Sequence, residues 1–300
     1  MNKIVIIDGH NLLFRAFFAV PPLSTQNGQP TNAVYGCLKT FKATIEDLKP
    51  DYVIICYDSG KRTARHVQDP VYKAHRPPTH DDLKSQFSLV KDVFARLGIP
   101  QITAPDDTEG DDLIGTIAVM ADKIDFEAII VSSDKDFFQL CNDKIKVYSF
   151  AVKKKNNIGI VDTAYVRENF GVNPNQLVDV KSLTGEKGDG ITGVAGYGPK
   201  TATKLIQQHG TIAKVLKYLA INPEDRHAGL LNERDVISNA YSLALINTNV
   251  ELPNDTPIHH VSKIAVNEPA LREFFDYYEL KSLNVSQWVN LFGYAKKVSA

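Results

Sequence analysis

Three short apolar runs in the first half of the chain each lead into an aspartate. They are residues 4–7 before Asp8, residues 52–57 before Asp58, and residues 128–131 before Ser132, Ser133 and Asp134. Continuous β-branched runs of this length, followed by helix-like segments, predict buried parallel strands. Because ligands of such sheets lie at the carboxyl ends of the strands, we expect the three carboxylates to converge at one edge.

Helical patterns alternate with these runs at residues 32–49, 81–97 and 108–123, which predicts a βαβ architecture. From about Asp162 the strand signal fades and helical patterns dominate. They cover residues 163–170, 174–183, 199–209 and 211–220, with short closing helices at 271–278 and 285–292. We therefore predict an α/β domain over residues 1–165 and a mostly helical region over residues 166–300.

Composition narrows the class of protein only slightly. The 300 residues are 43% hydrophobic and carry a net charge of −1, so any nucleic-acid binding must depend on where the charges lie. Three cysteines without metal-ligand spacing indicate buried thiols in a reducing compartment. Asp8 and His10 stand where a signal peptide needs an apolar core, and no apolar run approaches the roughly 18 residues of a membrane span. A cytoplasmic location is predicted.

The three strand-end aspartates predict a site for divalent cations. Neighbouring strands lie only about 4.8 Å apart, so acids at their ends repel one another in a desolvated cleft. Carboxylate-only clusters favour Mg²⁺ or Mn²⁺, whereas zinc usually recruits His or Cys as well. A single Asp after a strand is equally well explained as a helix cap, but three together favour the metal interpretation.

Glu109, Asp111 and Asp112 precede the apolar run at residues 113–118. Thr108 and Asp111 have the spacing of a capping-box-like helix start, and acids suit the positive end of the helix dipole. Capping and the helix dipole do not require as many as three acids. Adjacent helical residues point about 100° apart, so Asp111 and Asp112 would bridge two ions, or hold one ion and its water shell.

Two further acid pairs are compatible with cation binding. Asp134 and Asp136 follow a predicted strand at spacing i and i+2, where a tight turn would aim both into one cleft. Glu186 and Asp189 stand at i and i+3 in a glycine-rich loop. An ordinary turn explains that second pair equally well.

The most basic stretch runs from Lys61 to Lys84 and contains Arg65, Lys73 and Arg76, with Tyr72 inside it. Such a run is usually a solvated face. Because it directly follows Asp58, we expect it to lie over the acid cluster and supply phosphate clamps and a stacking ring. For His10, Phe14, Phe17 and Phe18, packing between strand and helix is the favoured interpretation.

Closely spaced glycines precede a helix that opens at Pro199. The segment contains Gly193, Gly196, Gly198, Lys200 and Thr201. Glycines let the backbone approach a phosphate, and a helix N-terminus supplies free N–H donors. No strand precedes these glycines, which disfavours a dinucleotide-binding fingerprint. A helix-hairpin-helix that holds duplex backbone without reading sequence fits better.

Together these motifs resemble the 5′-nuclease family, over about residues 1–250 and in the expected order. The family includes the exonuclease domains of bacterial DNA polymerases I and stand-alone bacterial flap endonucleases. The resemblance implies a PIN-like, mostly parallel sheet flanked by helices, with a helical arch and a helix-hairpin-helix (H3TH) subdomain. It also implies a metal-dependent nuclease that cuts DNA near single-strand/duplex junctions and leaves 5′-phosphate ends, acting in replication and repair.

The resemblance assigns roles by matching positions. The first metal would be held by Asp8, Asp58, Glu109, Asp111 and Asp112. The second would be held by Asp134, Asp136, Glu186 and Asp189. Lys73 and Arg76 would face the scissile phosphate, residues 60–84 would form the arch that threads the 5′ strand, and residues 193–202 would grip duplex, with K⁺. The implied partners are DNA flaps, nicks and junctions, RNA primers and a polymerase module, with the nuclease as a monomer near the nucleoid.

The chain departs from the family pattern at two positions. Glu186 stands where Asp is common, and Gly190 stands where many polymerase I members have Asn. A displaced second metal site would leave a junction-binding protein as one alternative function. A PIN-like ribonuclease is another, although such enzymes usually lack the hairpin seen at residues 193–202.

Overall fold

A six-stranded sheet forms the centre of the protein. The computed structural model describes residues 1–154, 157–253, 256 and 258–293. The strands are β1 Lys3–Asp8, β2 Tyr52–Tyr57, β3 Gln101–Thr103, β4 Glu127–Val131, β5 Ile145–Lys154 and β6 Asn157–Val161. Their spatial order is β3-β2-β1-β4-β5-β6; the first five are parallel, and β6 pairs antiparallel with β5.

Helices cover both faces of the sheet and build the second half of the chain. In the first half they are α1 Gly9–Ala19, α2 Asn32–Leu48, α3 Ala64–Gln68, α4 Asp81–Arg96 and α5 Gly110–Lys123. In the second half they are α6 Thr163–Phe170, α7 Leu177–Thr184, α8 Pro199–His209, α9 Ile212–Ile221, α10 Arg234–Ala244, α11 Glu268–Tyr277 and α12 Val285–Val289.

The central residues of β1, β2 and β4 are apolar because both faces of these strands are buried. In β1, Val5 and Ile7 pack with α1, α2 and α4, whereas Ile4 and Ile6 pack with α5 on the opposite face. The same alternation continues in β2. A sheet covered on both sides needs no polar face, which explains the continuous hydrophobic runs.

The helical half has a core of its own, built from α7, α8, α9 and α10 around Ile206 and Val215. The last helices do not join it. Leu271, Phe274 and Trp288 pack into the core that α2 and α4 form on the sheet. The C-terminal helices therefore close over the α/β layer rather than over the helical half.

The predicted strand-helix alternation is confirmed, and the last strand ends at Val161, where the strand signal fades. Sequence patterns missed α1, α3, α10, the short strand β3 and the β5–β6 hairpin. The helix predicted at 174–183 begins as a 3₁₀ turn at Pro174–Gln176 and continues as α7. Among the described residues, no helix is both long and apolar enough to cross a membrane.

Candidate metal centre

A cavity of about 790 Å³ opens at the carboxyl edge of the sheet. Asp8, Asp58, Asp111 and Asp134 line it. The strand order places β2, β1 and β4 side by side, so the residues that end or follow these strands meet there. The structure thus brings together the three strand-end aspartates, and α5 adds a fourth from its first turn.

Asp8 serves two structural purposes within the cavity wall. One carboxylate oxygen accepts a hydrogen bond from the Asn11 backbone N–H at 2.9 Å and caps α1, and the other accepts from Ser132 Oγ at 2.9 Å. Ser132 Oγ also accepts from the Asp134 N–H at 3.0 Å. These bonds join the ends of β1 and β4 and orient both aspartates.

Asp58 is tied to the start of α5. Its Oδ1 accepts a hydrogen bond from the Gly110 N–H at 2.5 Å. A Cβ atom at Gly110 would lie 2.9 Å from that oxygen, so this contact requires glycine. The pairing brings Asp58 next to Asp111, which follows Gly110 in the helix.

The cavity carboxylates carry raised pKa values. Burial raises the pKa of Asp8 to about 7, and the charges of Asp58 and Asp134 add to the effect. Burial also raises the pKa of Asp111 well above its ordinary value, with further contributions from Asp134 and Asp8. The pKa of Asp134 is raised by burial and by Asp136. The cluster therefore resists full ionisation unless cations accompany it.

The other predicted ligands of the second site lie beside Lys181, a residue that sequence patterns did not single out. Lys181 Nζ lies 2.5 Å from Asp136 Oδ1 and 3.7 Å from Glu186 Oε2. Asp189 Oδ1 accepts a hydrogen bond from Arg76 Nη2 at 2.6 Å. These three carboxylates are thus partly neutralised by the chain's own cations.

Glu109 and Asp112 turn away from the cavity toward Arg65. The guanidinium of Arg65 forms two hydrogen bonds of 2.7 Å with Asp112 and one of 3.2 Å with Glu109 Oε2. It also donates to the Leu245 carbonyl oxygen at 2.6 Å. All three charged groups are largely buried. In this structure Arg65 therefore joins α3, α5 and the segment after α10, instead of facing solvent.

Replacing Arg65 with alanine should lower the free energy of unfolding by about 3 kcal/mol, because two buried carboxylates lose their partner. Chemical denaturation measures this change. Arg62→Ala is the matched control, since Arg62 is exposed and its guanidinium donates to the His66 carbonyl oxygen rather than to a buried carboxylate. Equal unfolding free energies for the two variants would contradict a structural role for Arg65.

The basic segment packs onto α10 rather than standing free. Tyr72 is 3% exposed, lies among Ile191, Ala240 and Leu243, and donates its hydroxyl to Glu109 Oε2 at 3.1 Å. Its ring is therefore covered in this conformation. The segment leads directly to Lys73.

Lys73 adopts a left-handed backbone with φ 55°, which is unusual for a non-glycine residue. Its N–H donates to the Asp189 carbonyl oxygen at 2.8 Å, and its Nζ lies 3.1 Å from Glu109 Oε2. Lys73 and Arg76 both line the cavity with the aspartates. Strain of this kind is commonly retained where a side chain must point into a functional site.

The glycine-rich segment forms the turn between α7 and α8. Gly196 has φ 85°, Gly198 stands at the N-cap of α8, and Pro199 is the first residue of the helix. The Gly193 position is closed, because a Cβ there would lie 2.3 Å from the Thr184 carbonyl carbon. Lys200 and Thr201 are exposed on the first turn of α8. This is the predicted helix-hairpin-helix geometry.

The sequence favoured packing between strand and helix for some residues near the cavity, and it did not single out others that line it. His10 and Phe14 line the cavity, so for them the packing interpretation is incomplete. It is wrong for Phe18, whose side chain is 75% exposed. Asn11 also lines the cavity, and its Oδ1 accepts from the Ser133 N–H at 3.0 Å. His10, Asn11 and Phe14 stand two, three and six residues after Asp8. This spacing at the start of α1 was the sequence signal that could have placed them beside Asp8.

The donor set fits divalent cations of the oxygen-seeking kind. The cavity aspartates are carboxylates whose mutual repulsion a cation would relieve. Within the described part of the chain, no group of three or more His, Cys, Asp or Glu side chains is arranged so that it could hold a metal ion by itself. The residues present fit an ion held by carboxylates and water.

The structure combines a sheet that has carboxylates at its carboxyl edge with an attached helix-hairpin-helix. Family models describe this class of protein. The model of the 5′-3′ exonuclease N-terminal resolvase-like domain matches residues 3–171. The model of the 5′-3′ exonuclease C-terminal SAM fold matches residues 172–267. The chain belongs to the 5′-3′ exonuclease family.

Individual relatives agree with this assignment. The chain is 34% identical over 254 residues to DNA polymerase I of Deinococcus radiodurans, covering 84% of this chain and 26% of that one. It is 35% identical over 217 residues to a 5′-3′ exonuclease of Aquifex aeolicus, covering 72% and 73%. The chain thus spans about a quarter of the polymerase and most of the exonuclease.

Solved structures share the fold. The T5 5′-exonuclease with bound zinc has a TM-score of 0.67 at 22% identity, covering 92% of this chain and 98% of that one. A bacteriophage T5 flap endonuclease variant in complex with DNA and metal ions has a TM-score of 0.64 at 21% identity, covering 93% and 100%.

Proposed function

We propose that this chain is a metal-dependent, structure-specific 5′ nuclease that hydrolyses DNA phosphodiesters near single-strand/duplex junctions and leaves 5′-phosphate ends. The observation that carries the proposal is the cavity itself. Four carboxylates and the cations Lys73 and Arg76 line one space at the carboxyl edge of the sheet. That arrangement suits a phosphodiester held between metal ions and basic side chains.

We assign the ligands as two groups. The first ion would be held by Asp8, Asp58, Glu109, Asp111 and Asp112, and the second by Asp134, Asp136, Glu186 and Asp189. Of these, Asp8, Asp58, Asp111 and Asp134 already line the cavity, so they are the proposed direct contacts. Glu109 and Asp112 contribute through the Arg65 and Lys73 network, or as direct ligands once those contacts open.

Bound Mg²⁺ or Mn²⁺ would lower the pKa of a water and stabilise the departing 3′ oxygen. The chain's own residues supply the rest. Lys73 and Arg76 offset the negative charge that develops on the phosphate. The raised pKa values of Asp8 and Asp111 match a site completed by cations. No protein nucleophile is required.

Substrate choice follows from the two halves of the chain. Residues 1–165 cleave, and the helix-hairpin-helix within residues 166–300 holds duplex through Gly193, Gly196, Gly198, Lys200 and Thr201, with K⁺ at the hairpin. Phosphate contacts of this kind carry no sequence information, so selectivity is for structure. In this proposal Arg65 and Tyr72 assist DNA binding by holding the basic segment.

The corresponding biological role is the removal of flaps and RNA primers during DNA replication and repair. Polymerase I relatives suggest that a polymerase module, fused or separate, supplies these substrates. We further propose a monomer that acts in the cytoplasm near the nucleoid. A junction-binding protein with an impaired second metal site is less favoured, because the cavity acids are present. A PIN-like ribonuclease is less favoured, because a hairpin motif accompanies the cavity.

Cleavage of a 5′-labelled flap and a matched nicked duplex tests the function, with single-stranded RNA as control. We expect cutting near the junction only when Mg²⁺ or Mn²⁺ is added, and none with EDTA. Product lengths distinguish flap cutting from stepwise trimming. Junction binding without metal-dependent cleavage would overturn the nuclease proposal and support the binding protein, and preferential RNA cutting would support the ribonuclease.

A further inference from the structure

The first turn of α1 carries two uncharged polar side chains that line the metal cavity. They are His10 and Asn11, which lie there together with Asp8, Asp58 and Asp134. The proposed function uses the acids and the basic segment but gives these two residues no role. What each of them can bind follows from the hydrogen bonds that fix its orientation.

The backbone determines which nitrogen of the His10 ring carries a proton. The Asp58 N–H donates to His10 Nδ1 at 3.1 Å, so Nδ1 is an acceptor. In the neutral ring the proton is then on Nε2, which makes Nε2 a donor. Among the described residues Nε2 has no hydrogen-bond partner, and it is not a buried atom. The Nε2–H group therefore faces the open space of the cavity.

Asn11 is oriented in the same way by the strand on the other side of β1. Its Oδ1 accepts a hydrogen bond from the Ser133 N–H at 3.0 Å, which leaves Nδ2 as the free end of the amide. Nδ2 carries two N–H groups and no lone pair, so it can only donate. No residue in the described ranges accepts from it. Because β2 and β4 lie on either side of β1, the anchors of the two side chains flank Asp8.

The packing of α1 against β2 keeps His10 in this orientation. A Cβ at Gly9 would clash with the Tyr57 ring and would lie 2.9 Å from the Cys56 carbonyl oxygen, so glycine is needed for this close approach. The His10 ring packs against Phe87, with ring centroids 5.1 Å apart, and against Tyr57 at 6.0 Å. The donor at Nε2 is thus held in place before any ligand enters the cavity.

Neither side chain is suited to bind a metal ion in this orientation. Ligation by histidine needs a free lone pair, but in His10 one nitrogen accepts from Asp58 and the other carries the proton. The Nδ2 atom of Asn11 has no lone pair at all. Both groups can instead donate to an oxygen, and because they are neutral they do not repel cations beside the aspartates. The acceptors that the proposed function brings into this cavity are the non-bridging oxygens of a phosphodiester.

We propose that His10 Nε2 and Asn11 Nδ2 form a neutral donor pair that binds non-bridging oxygens of the phosphodiester to be cleaved. This proposal rests on the proposed function, because it needs a DNA phosphate in the cavity. Lys73 and Arg76 reach the cavity from the basic segment, whereas the donor pair is anchored to the residues that follow β2 and β4. The pair thus fixes the phosphate relative to the sheet that carries the aspartates.

Two amide substitutions of His10 separate the functions of its two nitrogens. The amide of His10→Asn lies near the position of Nδ1, so it keeps the bond from Asp58 and loses the cavity donor. The longer His10→Gln reaches the position of Nε2 and keeps that donor, while water replaces Nδ1 at the exposed Asp58 N–H. In single-turnover cleavage of a 5′ flap at saturating Mg²⁺, His10→Asn should be about 10- to 100-fold slower than wild type, because one hydrogen bond to a charged oxygen is lost. His10→Gln should recover most of that rate.

The reverse order of the two variants would overturn the proposal, since it would show that His10 acts by holding Asp58. His259→Asn is the matched control, because it makes the same chemical change at an exposed residue beside the start of β2, at the opposite edge of the sheet. Asn11→Asp keeps the acceptor for the Ser133 N–H but replaces the donor with a charged oxygen that repels phosphate. It should also slow cleavage by at least about 10-fold, and a wild-type rate would contradict the role of Asn11.

The rise in melting temperature that Mg²⁺ produces without DNA distinguishes a phosphate contact from a contact with the metal ions. It should be the same in His10→Asn as in wild type, because the donor binds substrate and not the ion. A smaller rise in His10→Asn would show that the side chain acts through the metal site, and the phosphate assignment would then be wrong. Circular dichroism spectra and melting temperatures in EDTA confirm that each variant is folded.

The failure of this proposal and the failure of the proposed function are distinguishable. A wild type that cleaves the flap with Mg²⁺, alongside a His10→Asn variant that cleaves it equally fast, overturns only the donor pair. A wild type that cleaves no flap with Mg²⁺ or Mn²⁺ overturns the proposed function.

Discussion

Replacing Asp111 with asparagine should abolish cleavage while leaving junction binding intact and stabilising the metal-free protein. Asp111 lines the cavity among Asp8, Asp58 and Asp134. Losing a partner outside the ligand shell commonly costs about 10- to 100-fold in metal affinity or activity, so losing a direct ligand should cost more. Removing a charge that its neighbours repel should also raise Tm without metal, because the pKa of Asp111 is already well above its ordinary value.

Three measurements check this prediction: single-turnover cleavage, flap binding in EDTA, and Tm with and without Mg²⁺. Asp276→Asn is the control, since it makes the same chemical change on the exposed surface of α11. The expected signature is lost cleavage together with a higher metal-free Tm and a smaller gain from Mg²⁺. Unchanged turnover would contradict the assignment of Asp111 to the metal site.

The stabilisation that Mg²⁺ provides should be large at pH 8 and small at pH 5. An acid whose pKa is raised in the folded protein keeps its proton there after the unfolded chain has lost it. Metal-free stability therefore falls as pH rises from the ordinary pKa of 3.8 to the folded value of about 7 for Asp8. For Asp8 alone this loss is on the order of 4 kcal/mol, and Asp111 and Asp134 act in the same direction. Bound cations relieve this repulsion at high pH, whereas at low pH protons compete with them.

Differential scanning calorimetry across this pH range, with and without Mg²⁺, measures the effect. NaCl at matched ionic strength controls for general screening. The double variant Asp8→Asn/Asp111→Asn should have a flatter pH profile and a smaller Mg²⁺ increment. An Mg²⁺ increment independent of pH would show that the ion binds away from these carboxylates.

Lys181 illustrates a limit of sequence reasoning about this site. The positions of Asp136 and Glu186 were apparent from their spacing, but the lysine between them belongs to α7. Only the packing of α7 beside the 3₁₀ turn at Asp136–Leu140, which follows β4, brings that cation to Asp136. A lysine in an ordinary helical pattern carries no signal of such a position, because Asp136, its nearer partner in space, is 45 residues away in the sequence.

Asp111 and Asp112 show the same limit within one helical turn. Their spacing predicts that they point about 100° apart, and they do face different surroundings. Asp111 lines the cavity, whereas Asp112 pairs with Arg65, 47 residues earlier in the chain. Helical geometry separated the two side chains, but only the packing of α3 against α5 decided which of them faced the cavity.

The sequence alone determined three of the parallel strands, β1, β2 and β4, the edge at which Asp8, Asp58 and Asp134 meet, and the hairpin before α8. These features follow from local rules, because strand ends, helix starts and glycine turns are encoded by neighbouring residues. The tertiary structure decided which carboxylates remain open and which are neutralised by Arg65 and Lys181. Those outcomes depend on contacts between segments far apart in the chain, and burial and charge pairing at such contacts arise only once the chain is folded.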